Sequence, residues 1–593
     1  MSRHACSAIP LPLVLLATSL AAQVPPASPC PAGEISYVHI DNKSIFDTAD
    51  PDLDRRFQWA YNAANRLHIR TREGVIRREL LFGPGSCYDP FLLEETERLL
   101  RGYEFLGEVD VFPVPQPDGS FHIIVSTRDE WSTRVDLRFS TSGGFGVEGG
   151  RLMEENLLGT GQAVGAFYYE RQAARDYGIS YFTPQLLGTR WDLRSEIGRT
   201  RAGTAVLQEI AYPFVGDVSR WAARQSFRRE DQYFGYIAGD SRDLAAPHVL
   251  LPVREQTFDL AVVRRVGRRG NMALIGGALS YQQLSYPGAM EVAPEGSFER
   301  RRPAPDSLAA PVLPQRHPLD NIRAFALLGH RNVWWVRRQG LDSMRGLEDV
   351  RLGAEAVLAV GRSFPAIEVD NDLYAMLGLY SGMELGNALF IGRGRGDARR
   401  DLGAGTAAPE WEDMYVEAEI LAYLPVTALF RQTLFARAAL TAAWHTRTPF
   451  QLTIGGVHGV RGYPPERLPG GRRLVLTLED RIFAGWPLPA VLDMGATVFV
   501  DAGRVWAGDA PFGANSGWRA AAGAGLRGSF PAGSRSTYRI DIAWPLERGA
   551  GIGDFQLSMS VGERRGIQPR SEDLQLIRSR GQNIGGELFT FRH

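Results

Sequence analysis

The sequence predicts a mainly β protein: a sixteen-stranded antiparallel transmembrane β-barrel preceded by one small α+β domain. Three observations predict it. From about residue 134 onward, short segments of alternating apolar and polar residues follow one another, with Gly, Pro, Asp or Arg-rich breaks between them. Helical periods are confined to the first part of the chain. Past its first residues the chain has no run of about 18 apolar residues, so a membrane could be crossed only by strands.

The start reads as a secretory leader, residues 1–22. Arg3 and His4 precede an apolar run over residues 9–20, and Ser19, Ala21 and Ala22 supply the small residues of a cleavage site. Residues 23–34 then form an N-terminal tail. Cys6 leaves with the leader, which puts Cys30 and Cys87 as an even pair in an oxidising compartment. One disulfide tying the tail to the first domain and two separate thiols both fit, because sequence supplies no distance. With 66 Lys+Arg against 67 Asp+Glu there is no global positive field, which argues against nucleic acid as a partner. Lys43 is the only lysine.

Residues 35–132 mix helix and strand. Residues 35–40 alternate as a strand, and Val75-Ile76-Arg77-Arg78-Glu79-Leu80-Leu81 reads as a short helix. Asp89 is placed to cap a second helix, whose Leu92, Leu93, Thr96, Leu99 and Leu100 recur at helical spacing. Val109-Asp110-Val111 and Phe121-His122-Ile123-Ile124-Val125 are two strands joined around the turn signal Asp118-Gly119. The order is strand, helix, helix, strand, strand, with residues 47–67 as a partly helical insertion.

Residues 133–563 are assigned to the barrel and 564–593 to a C-terminal tail. In Tyr538-Arg539-Ile540-Asp541-Ile542-Ala543-Trp544, one face carries Tyr, Ile, Ile and Trp and the other Arg, Asp and Ala. Met414, Val416, Ala418 and Ile420 likewise oppose Tyr415, Glu417 and Glu419. A soluble sandwich turns its apolar face inward to a dry core, whereas a membrane barrel turns it to lipid and keeps a polar lumen. The leader favours the barrel, and 44% hydrophobic residues with 65 Gly is compatible with it. An even strand count brings both barrel ends to the side of the small domain. Residues 240–251, 287–319 and 392–409 are rich in Pro, Gly and charge and read as loops on the opposite, extracellular side.

Three stretches resemble the superfamily of outer-membrane assembly factors and two-partner-secretion transporters, whose members join polypeptide-transport-associated (POTRA) domains to a sixteen-stranded barrel. Val75-Ile76-Arg77-Arg78-Glu79-Leu80, Glu97-Arg98-Leu99-Leu100-Arg101 and Thr127-Arg128-Asp129-Glu130-Trp131-Ser132 resemble the last POTRA domain and its entry into the barrel. Residues 146–162, with Glu155-Asn156-Leu157-Leu158-Gly159-Thr160-Gly161-Gln162, are similar to the first barrel hairpin. The most specific set is Val460-Arg461-Gly462-Tyr463, then Glu479, then Phe499-Val500-Asp501-Ala502-Gly503.

The last set is also coherent on its own residues. Leu474, Leu476 and Leu478 share the face opposite Glu479, and Phe499 and Asp501 share the face opposite Val498 and Val500, so both carboxylates can point into a lumen. A loop carrying Arg461 among glycines and prolines can fold back to meet them with a planar, bidentate guanidinium. The resemblance implies the same latch, built by Arg461, Gly462, Tyr463, Glu479 and Asp501. It also implies a seam between first and last strands that opens to template client strands, assigned to Gly146 and Val147 on one side and Phe555 and Met559 on the other. The glycines at 143, 144, 146, 149 and 150 weaken pairing there or simply ease curvature.

The function implied is assembly or insertion of outer-membrane proteins, or polypeptide translocation. Its partners would be unfolded outer-membrane or secreted polypeptides, outer-membrane lipid and a periplasmic or inner-membrane accessory protein. A passive channel is the rival reading, and a two-partner-secretion transporter a further one. There is room for a single POTRA-like domain, whereas the essential assembly factor resembles a five-domain array; an accessory or divergent member fits this better. No Gly-x-Ser-x-Gly elbow, His-Glu-x-x-His helix or phosphate loop occurs, so neither an enzyme nor a cofactor or metal site is expected.

Overall fold

The computed structural model describes residues 30–48, 51, 53–140, 146–170, 175–239, 247–294, 298–364, 370–403, 410–427, 430–456, 459–464, 467–484, 491–561 and 575–576. The expected leader lies outside these residues, as does nearly all of the expected C-terminal tail.

The N-terminal domain runs β1 (Ile35–Lys43), α1 (Gln58–Leu67), α2 (Glu73–Glu79), α3 (Pro90–Arg101), β2 (Leu106–Pro115) and β3 (Phe121–Asp129). The expected order is therefore present as β1, α2, α3, β2, β3, with α1 inside the insertion. The sheet order is β1-β3-β2, β1 parallel and β2 antiparallel to β3. Asp89 caps α3 by accepting from the Phe91 amide at 3.0 Å, and Pro90 occupies the first helical position, where its missing N–H costs nothing. Ile76, Leu93 and Leu100 close the core over Val38, Val109, Ile123 and Val125. Cys30 and Cys87 form a disulfide that ties the segment before β1 to the one before α3.

The barrel opens with β4 (Thr133–Ser140), β5 (Gly146–Glu154), β6 (Ala163–Glu170), β7 (Arg175–Thr183), β8 (Asp192–Arg199) and β9 (Thr204–Tyr212). Longer strands follow: β10 (Trp221–Ile237), β11 (His248–Arg268) and β12 (Asn271–Ser285). A loop then carries β13 (Glu291–Ala293), β14 (Arg302–Pro303) and the short α4 (Asp306–Ala309). Next come β15 (Leu319–Gln339), β16 (Leu347–Ser363), β17 (Asp372–Leu385), β18 (Ala388–Asp401), β19 (Trp411–Thr427) and β20 (Arg431–Trp444). A long loop with β21 (Phe450–Gln451) leads to β22 (Arg472–Phe483), β23 (Asp493–Trp506), β24 (Gly517–Ser529), β25 (Tyr538–Pro545) and β26 (Gln556–Val561). In the tail, β27 (Gln575–Leu576) pairs with β21.

Among the described residues twenty strands, with β13 and β14 as short additions, form one closed antiparallel barrel in which β26 neighbours β4. The expected sixteen is corrected to twenty. The break signals misled because a polar lumen places charge and glycine inside strands. Gly392 to Asp401, read as loop, is most of β18, with Arg393 and Arg395 alternating against Gly392, Gly394 and Gly396. Conversely, two-residue turns at Arg269-Gly270 and Asn387 with Gly386 join long strands with almost no break. Of the other two expected loops, His248 to Leu251 begins β11 and Leu319 begins β15, while residues 240–246 lie outside the described set. An even count still brings both barrel ends to the domain's side, here called the near end.

Alternation through the wall is regular. In β22 to β25 the exposed outward residues are Leu476, Leu478, Val498, Val500, Ile540 and Ile542, and the buried lumen residues include Thr477, Glu479, Phe499, Asp501 and Asp541. That is the pattern of a wall with lipid outside and polar groups within.

The near end clamps the domain through a repeated turn. Asn156-Leu157-Leu158-Gly159-Thr160 and Gln185-Leu186-Leu187-Gly188-Thr189 adopt one conformation, with φ of 52° at both Leu158 and Leu187. The Gly159 carbonyl accepts from the Arg72 amide at 2.8 Å, and a Cβ on Gly159 would lie 2.2 Å from the Arg70 carbonyl oxygen, so only glycine allows this approach. Asn156 donates to Thr71 at 2.8 Å. In the second turn Gln185 donates to the Val75 carbonyl at 3.1 Å and accepts from Arg78 at 2.8 Å, and Arg190 donates to the Leu80 carbonyl at 3.0 Å.

Candidate functional site

The loop over residues 445–471 leaves the far end of the wall and folds into the lumen. Ile454, Val460, Tyr463 and Leu468 pack on Val505 and Ala521 of the wall. Gly462 is required there: a Cβ would stand 2.5 Å from that of Ala521 and 3.0 Å from the Pro545 nitrogen. Tyr463, 1% exposed, anchors the turn.

This packing delivers Arg461 to the wall. Its Nε and Nη2 donate to the two oxygens of Asp501 at 2.7 and 3.0 Å, and its backbone amide donates to the same carboxylate at 3.2 Å. Nη1 donates to Glu479 and to Asp541, each at 3.1 Å. The guanidinium lies 3.3 Å from the centroid of the Phe499 ring. One cation is thus held by three carboxylates and an aromatic face, with its side chain 2% exposed. Charge-assisted and bidentate bonds of this kind are the strong class of protein hydrogen bonds.

The structure therefore brings together Arg461, Gly462, Tyr463, Glu479 and Asp501, and adds residues the sequence reading did not include. Asp541 was already on the polar face of its alternating strand, the signal that could have found it. Arg481 donates to Glu479 at 2.9 Å and to Asp342 at 2.9 Å, and lies 3.9 Å over Phe435. Arg527 also donates to Glu479. Asp342 belongs to the near-end turn over residues 340–346, which tucks into the mouth and wraps Glu348. That carboxylate accepts from the amides of Leu341, Asp342 and Ser343 at 3.0, 3.2 and 3.1 Å.

α3 packs against the near ends of β15 and β16. Its apolar side serves the domain core, yet Glu95, Glu97, Arg98 and Arg101 are also buried. Arg101 makes a two-pronged bond to Asp349, both arms 2.9 Å, Arg337 meets Glu97 at 2.9 Å, and Arg98 stacks 4.4 Å from Trp335. Beside it, Ser534 donates to Glu130 at 2.6 Å, and burial pushes the Glu130 carboxyl above the usual glutamate range. Glu155, directly before the first repeated turn, accepts from Arg134 at 2.6 Å; burial outweighs that cation and pushes its pKa up to about 7.

The far mouth is spanned by loops joined through two buried glutamines. Gln315 accepts from the Tyr236 hydroxyl at 2.8 Å and the Phe450 amide at 3.0 Å; Gln451 accepts from the Ile237 amide at 2.9 Å and donates to the Pro511 carbonyl at 2.9 Å. Among the described residues no cluster of three or more His, Cys, Asp or Glu is arranged to hold a metal.

The seam assignment needs correction. Gly146 and Val147 lie on β5, the second barrel strand, opposite Ser140 and Phe139 of β4. The first strand begins earlier, at Thr133, because β4 follows β3 after only three residues. On the other side Met559 is on β26, paired with Ile540 of β25, and Phe555 directly precedes that strand.

Residues 415–564 match the family model described as the Omp85 superfamily domain. The chain carries an Omp85 superfamily domain. It spans from β19 to just beyond β26, so the Omp85 domain contains Arg461 and all three of its carboxylates. No curated protein matches the chain. Among solved structures the chain is similar to BamA from Haemophilus ducreyi lacking POTRA domains 1–3, at 14% identity and a TM-score of 0.36, covering 89% of this chain and 84% of that one. It is also similar to CdiB from Acinetobacter baumannii, at 13% identity, TM-score 0.40 and coverage of 90% and 74%. CdiB from Escherichia coli gives 13%, 0.41, 89% and 76%. The Omp85 domain and the barrel together support an outer-membrane location; no described helix is long and apolar enough to cross a membrane.

Proposed function

We propose that this chain assembles or translocates polypeptides at the outer membrane, with client strands templated where β26 meets β4 and at the free edge of β2 in a POTRA-like, periplasmic N-terminal domain. The observation that carries the role is the Omp85 superfamily domain over residues 415–564. The seam mechanism draws support from strand length. Among the described residues β26 has six and β4 eight, against 21 in β11 and in β15, so the described junction offers far fewer ladder bonds than the opposite wall. An exposed edge strand such as β2 can accept an extended chain by β-augmentation.

The passive-channel reading fits less well. α3 occupies the near mouth, the Arg461 loop occupies the lumen, and loops joined by Gln315 and Gln451 span the far mouth. All three lie along the path a solute would take.

In-cell photo-crosslinking tests the proposal, with probes at Val135 on β4 and Met559 on β26 and a control at outward-facing Leu377 on β17. Capture of nascent outer-membrane or secreted chains at the first two positions alone is the expected result. Equal capture at Leu377, or none anywhere from a correctly assembled barrel, sinks the seam mechanism.

A further inference from the structure

The insertion between β1 and α2 forms a small cluster of its own. Ile45, Phe46, Leu53 and Tyr61 are its buried core, with Ala64, Trp131 and Val491 packed against it. Asn65 locks α1 in place, accepting from the Phe46 amide at 3.0 Å and donating to the Phe46 carbonyl at 2.8 Å. Tyr61, Ala64 and Asn65 therefore face inward.

The opposite side of α1 is not the polar face expected of a surface helix. Trp59, Ala63 and Leu67, spaced i, i+4, i+8, form an outward stripe; Trp59 is 73% and Leu67 75% exposed, and exposed Phe57 and Ile69 flank them. Exposed Arg66, seven residues after Trp59, lies on the same face, and exposed Arg55 and Arg56 lie just before the helix. A helix that is apolar on both faces has surface left for a second partner.

Its place on the barrel identifies that partner. The Phe46 ring lies 6.1 Å from that of Phe530, which directly follows β24. In that strand Arg527 and Ser529 are buried toward the lumen while Leu526 is exposed, so by alternation Phe530 lies on the outward side with Leu526. The outward band continues on β25 through exposed Ile540 and Ile542. The cluster that carries α1 thus meets the near rim of the barrel on its outward side, at the edge of the lipid-facing band. Tryptophan with arginine at that level is the composition of a membrane interface.

We infer that α1 is a lipid-binding foot: Trp59 and Leu67 enter the headgroup region of the leaflet around the near mouth, and Arg55, Arg56 and Arg66 meet its phosphates. The inference rests on the outer-membrane reading and adds a site to it.

The test uses the full-length protein in nanodiscs of phosphatidylethanolamine and phosphatidylglycerol, spin-labelled singly at Trp59→Cys, Leu67→Cys, Ile542→Cys or Tyr37→Cys with the Cys30–Cys87 bond intact. Accessibility to oxygen, which partitions into lipid, is compared with accessibility to a water-soluble nickel chelate. Labels at 59 and 67 should follow the lipid-facing reference at 542 and differ from Tyr37, which is exposed on the domain sheet. Changing Arg55, Arg56 and Arg66 together to Gln should shift them toward water. If 59 and 67 match 37 while 542 reads lipid, the foot is overturned and the membrane barrel stands. If 542 also reads water, the membrane reading falls with it. Shielding of 59 and 67 from both reagents would mean a protein covers α1, which also overturns the foot.

Discussion

Arg101 of α3 and Arg461 of the far-end loop stand at the two ends of one succession of polar contacts through the lumen, continued along the chain from Asp349 to Glu348. Arg101 bonds Asp349 at 2.9 Å; its neighbour Glu348 holds the amides of the turn that carries Asp342; Asp342 bonds Arg481, Arg481 bonds Glu479, and Glu479 bonds Arg461 at 3.1 Å. The seating of the N-terminal domain and the infolding of the loop are thereby parts of one charged framework, not two independent plugs.

Removing Arg461 should leave three buried carboxylates facing one another. Arg461→Ala is expected to destabilise the barrel by about 3 to 5 kcal/mol, the usual range when one partner of a buried ion pair is lost. Asp541→Asn should cost less than Asp501→Asn, since Asp501 alone makes the bidentate bond. Urea unfolding followed by the shift in gel mobility between folded and heated barrel would measure this, and equal costs for the two Asp variants would contradict the grading.

Arg481, close to the near end of β22, links the near-end turn to the Arg461 site. Arg481→Met, which keeps length and loses charge, should increase amide exchange in both the 340–346 turn and the Arg461 loop, and leave the repeated turn at 155–162 unchanged. Exchange confined to one of the two segments would show that they are not coupled through Arg481.

Gln185 should be the sensitive residue of the second repeated turn. Its amide is buried and bonded to Val75 and Arg78, so Gln185→Ala strands those groups and should weaken domain docking by about 1 to 3 kcal/mol. Leu187, 94% exposed, should tolerate Ala with little change. Amide protection of α2 reports both.

Acid should tighten the same interface. The Glu155 carboxyl is pushed up to about 7 from its ordinary 4.5, and Glu130 is raised as well, so the folded state binds these protons more tightly than the unfolded chain. That contribution is complete below the unfolded value, declines as pH rises through the folded one and is absent above it. Protection of the 155–162 turn should accordingly be higher at about pH 5 than at about pH 8, with Glu155→Gln flattening the difference.

The parts of this molecule legible in its sequence are those governed by short-range rules. Asp89 capping α3, the Asp118-Gly119 turn and the inward face shared by Phe499 and Asp501 all follow from local spacing. What escaped depends on distant pairing. Arg393 and Arg395 between glycines look like a loop until a neighbouring strand gives them a lumen to face. Likewise, the helical spacing of α3 marks only its apolar side, and only the barrel mouth converts Arg98 and Arg101 into buried contacts. The seam was displaced by one strand because Gly146 and Val147 carry a hairpin signal, although the barrel boundary at residue 133 coincides with the start of β4.

In their described residues the strands flanking the β26–β4 junction, β25 through β9, are six to nine residues long, whereas β10, β11, β15 and β16 run to 17 or 21. Eight residues reach about 26 Å along the strand and only about 20 Å once tilted, short of the roughly 25 Å apolar band usual for such barrels. In the proposed outer-membrane setting, the hydrocarbon layer beside these strands would thin by several Å. Elastic strain at the junction would then be carried by the lipids, ready to be relieved by any strand that joins there.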